Sequence, residues 1–152
     1  MLLDDLMAAS RQGKIGIEPF FLGFSWNPFA ASATTPKNAT IDNDSDFVIR
    51  YQMLSAYSDG NVLIPDPDYL AVMVDSSSGR NFQNIAQHVR NSFGVAQRPF
   101  ILSEPKLMHG GGVITITLQN LTAVAARVEI ALHGLKVYYY EGFRRENLGR
   151  YL

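Results

Sequence analysis

Between Gly112 and Tyr140 the side chains keep a period of two for longer than anywhere else in this chain, and that limits the fold more than any other feature. In Val113-Ile114-Thr115-Ile116-Thr117-Leu118, the residues Ile114, Ile116 and Leu118 point one way, while Val113, Thr115 and Thr117 point the other. The pattern resumes after Ala123, with Val128, Ile130 and Leu132 on one face and Arg127, Glu129 and His133 opposite. Both segments read as strands buried on one side only. The residues between them are too few for a parallel crossover, so the spacing predicts an antiparallel hairpin.

The same alternation recurs upstream. Phe47, Ile49, Tyr51 and Met53 alternate with Val48, Arg50, Gln52 and Leu54 within a strand spanning residues 40–58. Ser58-Asp59-Gly60-Asn61 then turns the chain into the short strand Val62-Leu63-Ile64, which Pro65 stops. Leu70, Val72 and Val74 share a face in the next strand, closed by Asp75-Ser76-Ser77-Ser78-Gly79-Arg80. Arg98-Pro99-Phe100-Ile101-Leu102 reads as an edge strand. About seven short strands separated by turn residues predict an all-β fold, an antiparallel β-sandwich or barrel. Two segments depart from this pattern. Leu2, Leu3, Leu6 and Met7 share one face of a short helix ending before Gly13, and Phe82, Ile85, Val89 and Phe93 recur at helical spacing, which predicts a short helix over 81–93.

Residues 13–36 pack Phe20, Phe21, Phe24, Trp26 and Phe29 between Gly and Pro residues that interrupt any period. Two readings stay open for them. They form a first core strand, or they belong to an extended arm whose aromatics dock on a neighbouring subunit, since aromatics are enriched in interface cores. We divide the chain into an N-terminal arm (1–37), a sandwich body (38–140) and a charged tail (141–152). In the segment joining body to tail, Tyr138, Tyr139, Tyr140, Phe143, Arg144 and Arg145 interleave aromatic and basic side chains, as protein interfaces do.

Composition narrows the function classes. A net charge of -1 over 152 residues gives no basic face for nucleic acid. With no Cys there is neither a disulfide framework nor a thiolate metal site. The acidic start Met1-Leu2-Leu3-Asp4-Asp5 is unlike a signal peptide, and no apolar run reaches bilayer length, so no membrane contact is expected. Without secretion, the sequons Asn38-Ala39-Thr40 and Asn120-Leu121-Thr122 are chance matches.

Catalytic and metal motifs are weak. Asp42-Asn43-Asp44-Ser45-Asp46 starts like a calcium loop, but has Phe47 where that loop needs Gly and Met53 where it needs a bidentate Glu. It reads as a solvated turn. His88, His109 and His133 lack metal-ligand spacing, and His133 reads as a surface or subunit-contact residue. Gly23-Phe24-Ser25-Trp26 lacks the second Gly of a nucleophile elbow, and Gly110-Gly111-Gly112 leads into a strand, where phosphate loops lead into a helix. No cofactor is expected, and no enzyme; a hydrolase would need perturbed carboxylates meeting in a cleft.

Asp46-Phe47-Val48-Ile49-Arg50, Val74-Asp75-Ser76-Ser77-Ser78-Gly79-Arg80 and Phe93-Gly94 followed by Arg98-Pro99-Phe100-Ile101-Leu102-Ser103-Glu104-Pro105 resemble small structural proteins of tailed bacteriophage virions. The alternating segments 114–121 and 128–134 add to the resemblance, which covers residues 38–140. It implies a jelly-roll-like sandwich placed on the capsid as cement or decoration, or at the neck or collar. Its expected partners are major capsid or portal and neck proteins and further copies of itself, in a virion assembled in the host cytoplasm. The alternative expectation is a carbohydrate-binding sandwich that uses Trp26 or the tyrosines as a stacking platform.

Overall fold

The computed structural model describes residues 2–143. Helix α1 (Leu2–Arg11) comes first, followed by strands β1 (Ile15–Phe29), β2 (Thr34–Thr40), β3 (Asp46–Tyr57), β4 (Tyr69–Asp75), β5 (Arg80–Asn81), β6 (Gln87–His88), β7 (Phe100–Met108), β8 (Val113–Asn120) and β9 (Ala126–Tyr139). One sheet has the order β1-β9-β3-β7. The other has β2-β8-β4-β5, with β6 pairing along β4 as well. All strand pairs in both sheets are antiparallel. If β5 and β6 are taken as one broken edge strand, the chain crosses between two four-stranded sheets at every connection except β4 to β5, the order of a jelly roll.

The main core lies between the sheets, and the period of two supplies it. Leu22, Phe24 and Trp26 of β1, Phe47 and Ile49 of β3, Ile114, Ile116 and Leu118 of β8, and Val128, Ile130 and Leu132 of β9 all meet there. A second apolar cluster sits on the outer face of the first sheet. Leu6 and Ala9 of α1 cover Ile15, Val48 and Val137 there, with Ile17, Leu107 and Leu135 at the margin. A helix this short is marginal alone, so the sheet beneath it carries its stability. Asp4 and Asp5 in its first turn and Arg11 in its last suit the helix dipole. Gly13, at φ +68°, lets Gly13 and Lys14 donate to the carbonyls of Ser10 and Ala9 and so close the helix.

Four expectations are corrected. β8 and β9 do not form a hairpin: β8 lies in one sheet between β2 and β4, β9 in the other between β1 and β3. Residues 121–125 therefore arch across the sandwich, and the two apolar faces meet across the core instead of lying side by side. The arch is held by Asn120, which is 1% exposed. Its amide nitrogen donates to Ala30 O at 3.1 Å and Val124 O at 2.9 Å, and its oxygen accepts from Thr122 N and Oγ1.

Of the two readings of the aromatic segment, the first core strand holds and the arm does not: residues 15–29 are the edge strand of a sheet, paired with β9 from Ile15↔Tyr139 to Phe29↔Ala126. The body thus starts well before residue 38, and α1 packs on it. Phe24, Trp26 and Phe29 are buried in the chain's own core: β1 alternates from Leu22 to Trp26, a register shift before Phe29 turns that ring inward too, and Pro19 and Pro28 fall on a sheet edge, where proline is tolerated.

No α-helix forms over 81–93. β4 has an outer edge that needs hydrogen-bond partners, and this segment provides them. Asn81 and His88 pair with β4, and between them Phe82 N donates to Met73 O. In the gap the Gln83 side chain takes the place of backbone, accepting from Met73 N and donating to Ala71 O, both at 3.1 Å. Only Val89–Asn91 makes a 3-10 turn, and Ile85, on the supposed apolar stripe, is exposed.

The alternation in β3 slips once. Ile49 pairs with Gly134 and Tyr51 with His133, so Arg50 is the extra residue of a β-bulge. Phe47 and Ile49 face the core, but beyond the bulge Leu54 and Ala56 do, and Tyr51 and Met53 move to the outer face.

Candidate functional site

The bulge decides what the outer face of the first sheet presents. In register, Phe21 of β1 lies beside His133 of β9, His133 beside Tyr51 of β3, and Tyr51 beside Ile101 of β7. Because paired residues project to one side of a sheet, these four side chains make a continuous row across all four strands, on the side away from the core. Phe21 is 59% and Ile101 66% exposed. Phe21 meets the His133 imidazole edge to face, and burial there pushes the His133 pKa below its ordinary value. Arg50, the bulge residue, lays its guanidinium 5.1 Å from the Tyr51 ring centre and donates to its hydroxyl at 3.2 Å. α1 covers the same face next to this row and stops short of it.

Beyond the row, the face sinks. The next residues across β1, β9 and β3 are Gly23, Ala131 and Met53, followed by Ser25, Glu129 and Ser55. Small side chains on β1 and β9 leave a groove of about 450 Å³, bounded by Tyr57 and by Ala96. Arg127 lies over the Tyr57 ring at 4.7 Å, with Nε 4.0 Å from Glu129 Oε1.

The side chains selected from the sequence divide between core and surface. Phe24, Trp26 and Phe29 belong to the core, so Trp26 is no stacking platform for a sugar. Phe20 is half-buried, edge-on to Phe47 at 5.9 Å and beneath the Lys136 ammonium at 4.1 Å. Lys136 itself is paired with Asp42, which raises its pKa. Tyr138 donates to Glu18 at 3.1 Å, and Tyr139 donates to the fully buried Asp46 at 2.7 Å. Phe143 stacks on Tyr139 with 6.5 Å between ring centres. Tyr140 is exposed, and its hydroxyl closes over Gly16. Arg144 and Arg145 lie outside the described residues. Of the aromatic set, only Phe21 joins the row. Tyr51 and Ile101 were not selected, because the bulge that turns Tyr51 outward leaves no mark in the alternation.

The calcium-like turn is engaged otherwise: Asp42 holds Lys136, and Asp46 accepts from Gly110 N at 2.8 Å as well as from Tyr139. Among the described residues no three His, Asp or Glu side chains are placed to hold a metal. None of the described helices is long and apolar enough to cross a membrane. Set against known proteins, the chain matches no family model and no curated sequence.

Proposed function

We propose that this chain is a non-enzymatic structural subunit of a larger protein assembly, of the virion kind its sequence resembles, and that it contacts its neighbours through the outer face of the β1-β9-β3-β7 sheet. The observation that carries the reading is the Phe21–His133–Tyr51–Ile101 row. A sheet face with no second layer exposes apolar area to water, and contiguous exposed apolar patches mark contact surfaces. Aromatic residues and arginine are the side chains most used at the centres of protein interfaces, and Arg50, Tyr51 and Phe21 adjoin here. The rigid sandwich behind the row means that little ordering entropy is lost on docking. The occupant that this reading commits to is a second copy of the same chain.

Light scattering and native mass spectrometry test it. The wild-type chain is expected to form a defined oligomer, and the double variant Phe21→Ser/Ile101→Ser to be a folded monomer. A wild-type chain that stays monomeric at all accessible concentrations, or an oligomer unaffected by the double variant, overturns it.

A further inference from the structure

We infer that the groove beside the aromatic row is a binding site for a short neutral oligosaccharide. It crosses β1, β9 and β3 and ends at Ala96, a run of about three strand spacings of ~4.8 Å. Its volume of about 450 Å³ falls within the range of small-molecule sites, roughly 300–1,000 Å³.

The groove is not a greasy slot. The Glu129 carboxylate stands at its centre, between Ser25 and Ser55 in the cross-strand register. Arg127, outside the lining, donates through a terminal nitrogen to Asn61 Oδ1 at 3.2 Å and sets its Nε 4.0 Å from Glu129 Oε1. Two hydroxyls and a carboxylate therefore line the same stretch of the groove. An apolar helix laid here would desolvate Glu129, which is unfavourable. A polyhydroxylated ligand serves these groups, because a sugar hydroxyl can donate to the carboxylate and exchange hydrogen bonds with either serine hydroxyl. Glu129 and Arg127 together carry no net charge, which favours a neutral ligand over an anionic or cationic one.

Apolar surface completes the match. The Tyr57 ring forms one boundary and separates the groove from a second hollow of about 340 Å³ lined by Leu63, Ile64 and Pro65. Its position suits packing against the C–H face of a sugar ring. Gly23 and Ala131 make the floor low enough for the ring to lie flat on the sheet. The groove shares the outer face with the row, and Ile101, on β7 at the far end of that row, is not among the residues that line it.

Calorimetric titration with neutral hexasaccharides of glucose, mannose, xylose, galactose and N-acetylglucosamine tests the site. At least one series is expected to bind the wild-type chain. Glu129→Gln, at an exposed position, is expected to weaken that binding about tenfold through loss of a charge-assisted hydrogen bond. Ala131→Leu fills the floor and is expected to abolish it, whereas Ile101→Ser leaves it unchanged. Circular dichroism verifies that each variant is folded. No binding by any series overturns the inference, as does binding that survives both Glu129→Gln and Ala131→Leu, or a groove that takes an amphipathic helical peptide and no sugar.

Discussion

Trp26 Nε1 donates to the carbonyl oxygen of Thr35 at 3.0 Å, joining the edge strand of one sheet to the edge strand of the other. The indole is 1% exposed and packs between Phe24 and Phe29, each with its ring centre 6.4 Å away. This contact closes the side of the sandwich where β1 and β2 meet, and it makes the N-terminal third part of the body. Trp26→Phe is expected to lose about 1–3 kcal/mol by leaving a carbonyl without its donor, and Trp26→Ala about 3–5 kcal/mol, measured by urea unfolding. Deleting residues 1–36 removes β1 and is expected to give a chain that does not fold; a folded, cooperative fragment would restore the arm reading.

Gly134 faces the β3 bulge. A side chain there would run into the carbonyl oxygen of Val48 and come within 2.9 Å of the Phe47 ring. The clash is with backbone in the centre of a sheet, so nothing nearby can yield. Gly134→Ala is expected to lower stability by about 3 kcal/mol, whereas Gly23→Ala, with open space around its Cβ position, is expected to be nearly neutral. Equal denaturation midpoints for the two variants would contradict this account of the bulge.

Asn120 spends its whole hydrogen-bonding capacity on the arch between the sheets. Asn120→Ala leaves the carbonyls of Ala30 and Val124 short of a donor and is expected to be destabilising by about 2–3 kcal/mol. Hydrogen exchange should show the arch opening first, with faster exchange at Thr122 and Val124 and little change in β3. Uniform acceleration across both sheets would mean that the arch is no separate unit.

His133 titrates below its ordinary value because burial disfavours the imidazolium. The unfolded chain therefore binds the proton more tightly than the folded one, and stability falls as pH drops from about 6.5, the unperturbed value, towards the lower folded-state pKa. His133→Gln is expected to flatten that part of the stability profile. If the row docks on a second copy, further desolvation extends the same preference to the oligomer, which is then expected to dissociate on acidification. The side chains that line the hollow beside the imidazole are Phe21, Tyr51 and Arg50.

Asp75 contributes in a lower window. Burial raises its pKa, but bonds from the Ser78 hydroxyl and the Ser78 and Ser77 amides, together with Arg80, outweigh this and hold the carboxyl below its usual range. Its stabilisation is complete above the unfolded value near 3.8 and is lost as pH falls through the lower folded value. Asp75→Asn is expected to reduce stability at neutral pH and leave it unchanged at the acid extreme, by denaturation at the two pH values.

What the sequence by itself determined is local. Alternation in β3, β4, β8 and β9 announced strands, and their number and turn spacing pointed to a sandwich or barrel; in β4 the core takes Tyr69, Ala71 and Met73 and not the Leu70, Val72 and Val74 face. The same signal is silent about which strand lies beside which. Val113–Asn120 and Ala126–Tyr139 alternate alike whether they pair as a hairpin or face each other across a core, and only the packing of both apolar faces into one interior sends them to different sheets. Residues 81–93 carry a helical period that the unpaired edge of β4 overrules. The outer row belongs to the tertiary structure altogether: one bulged residue opposite Gly134 reverses the sense of every side chain after it in β3 and so places Tyr51 beside His133. A register shift of one residue is invisible in composition, yet it selects the face on which an aromatic ring emerges.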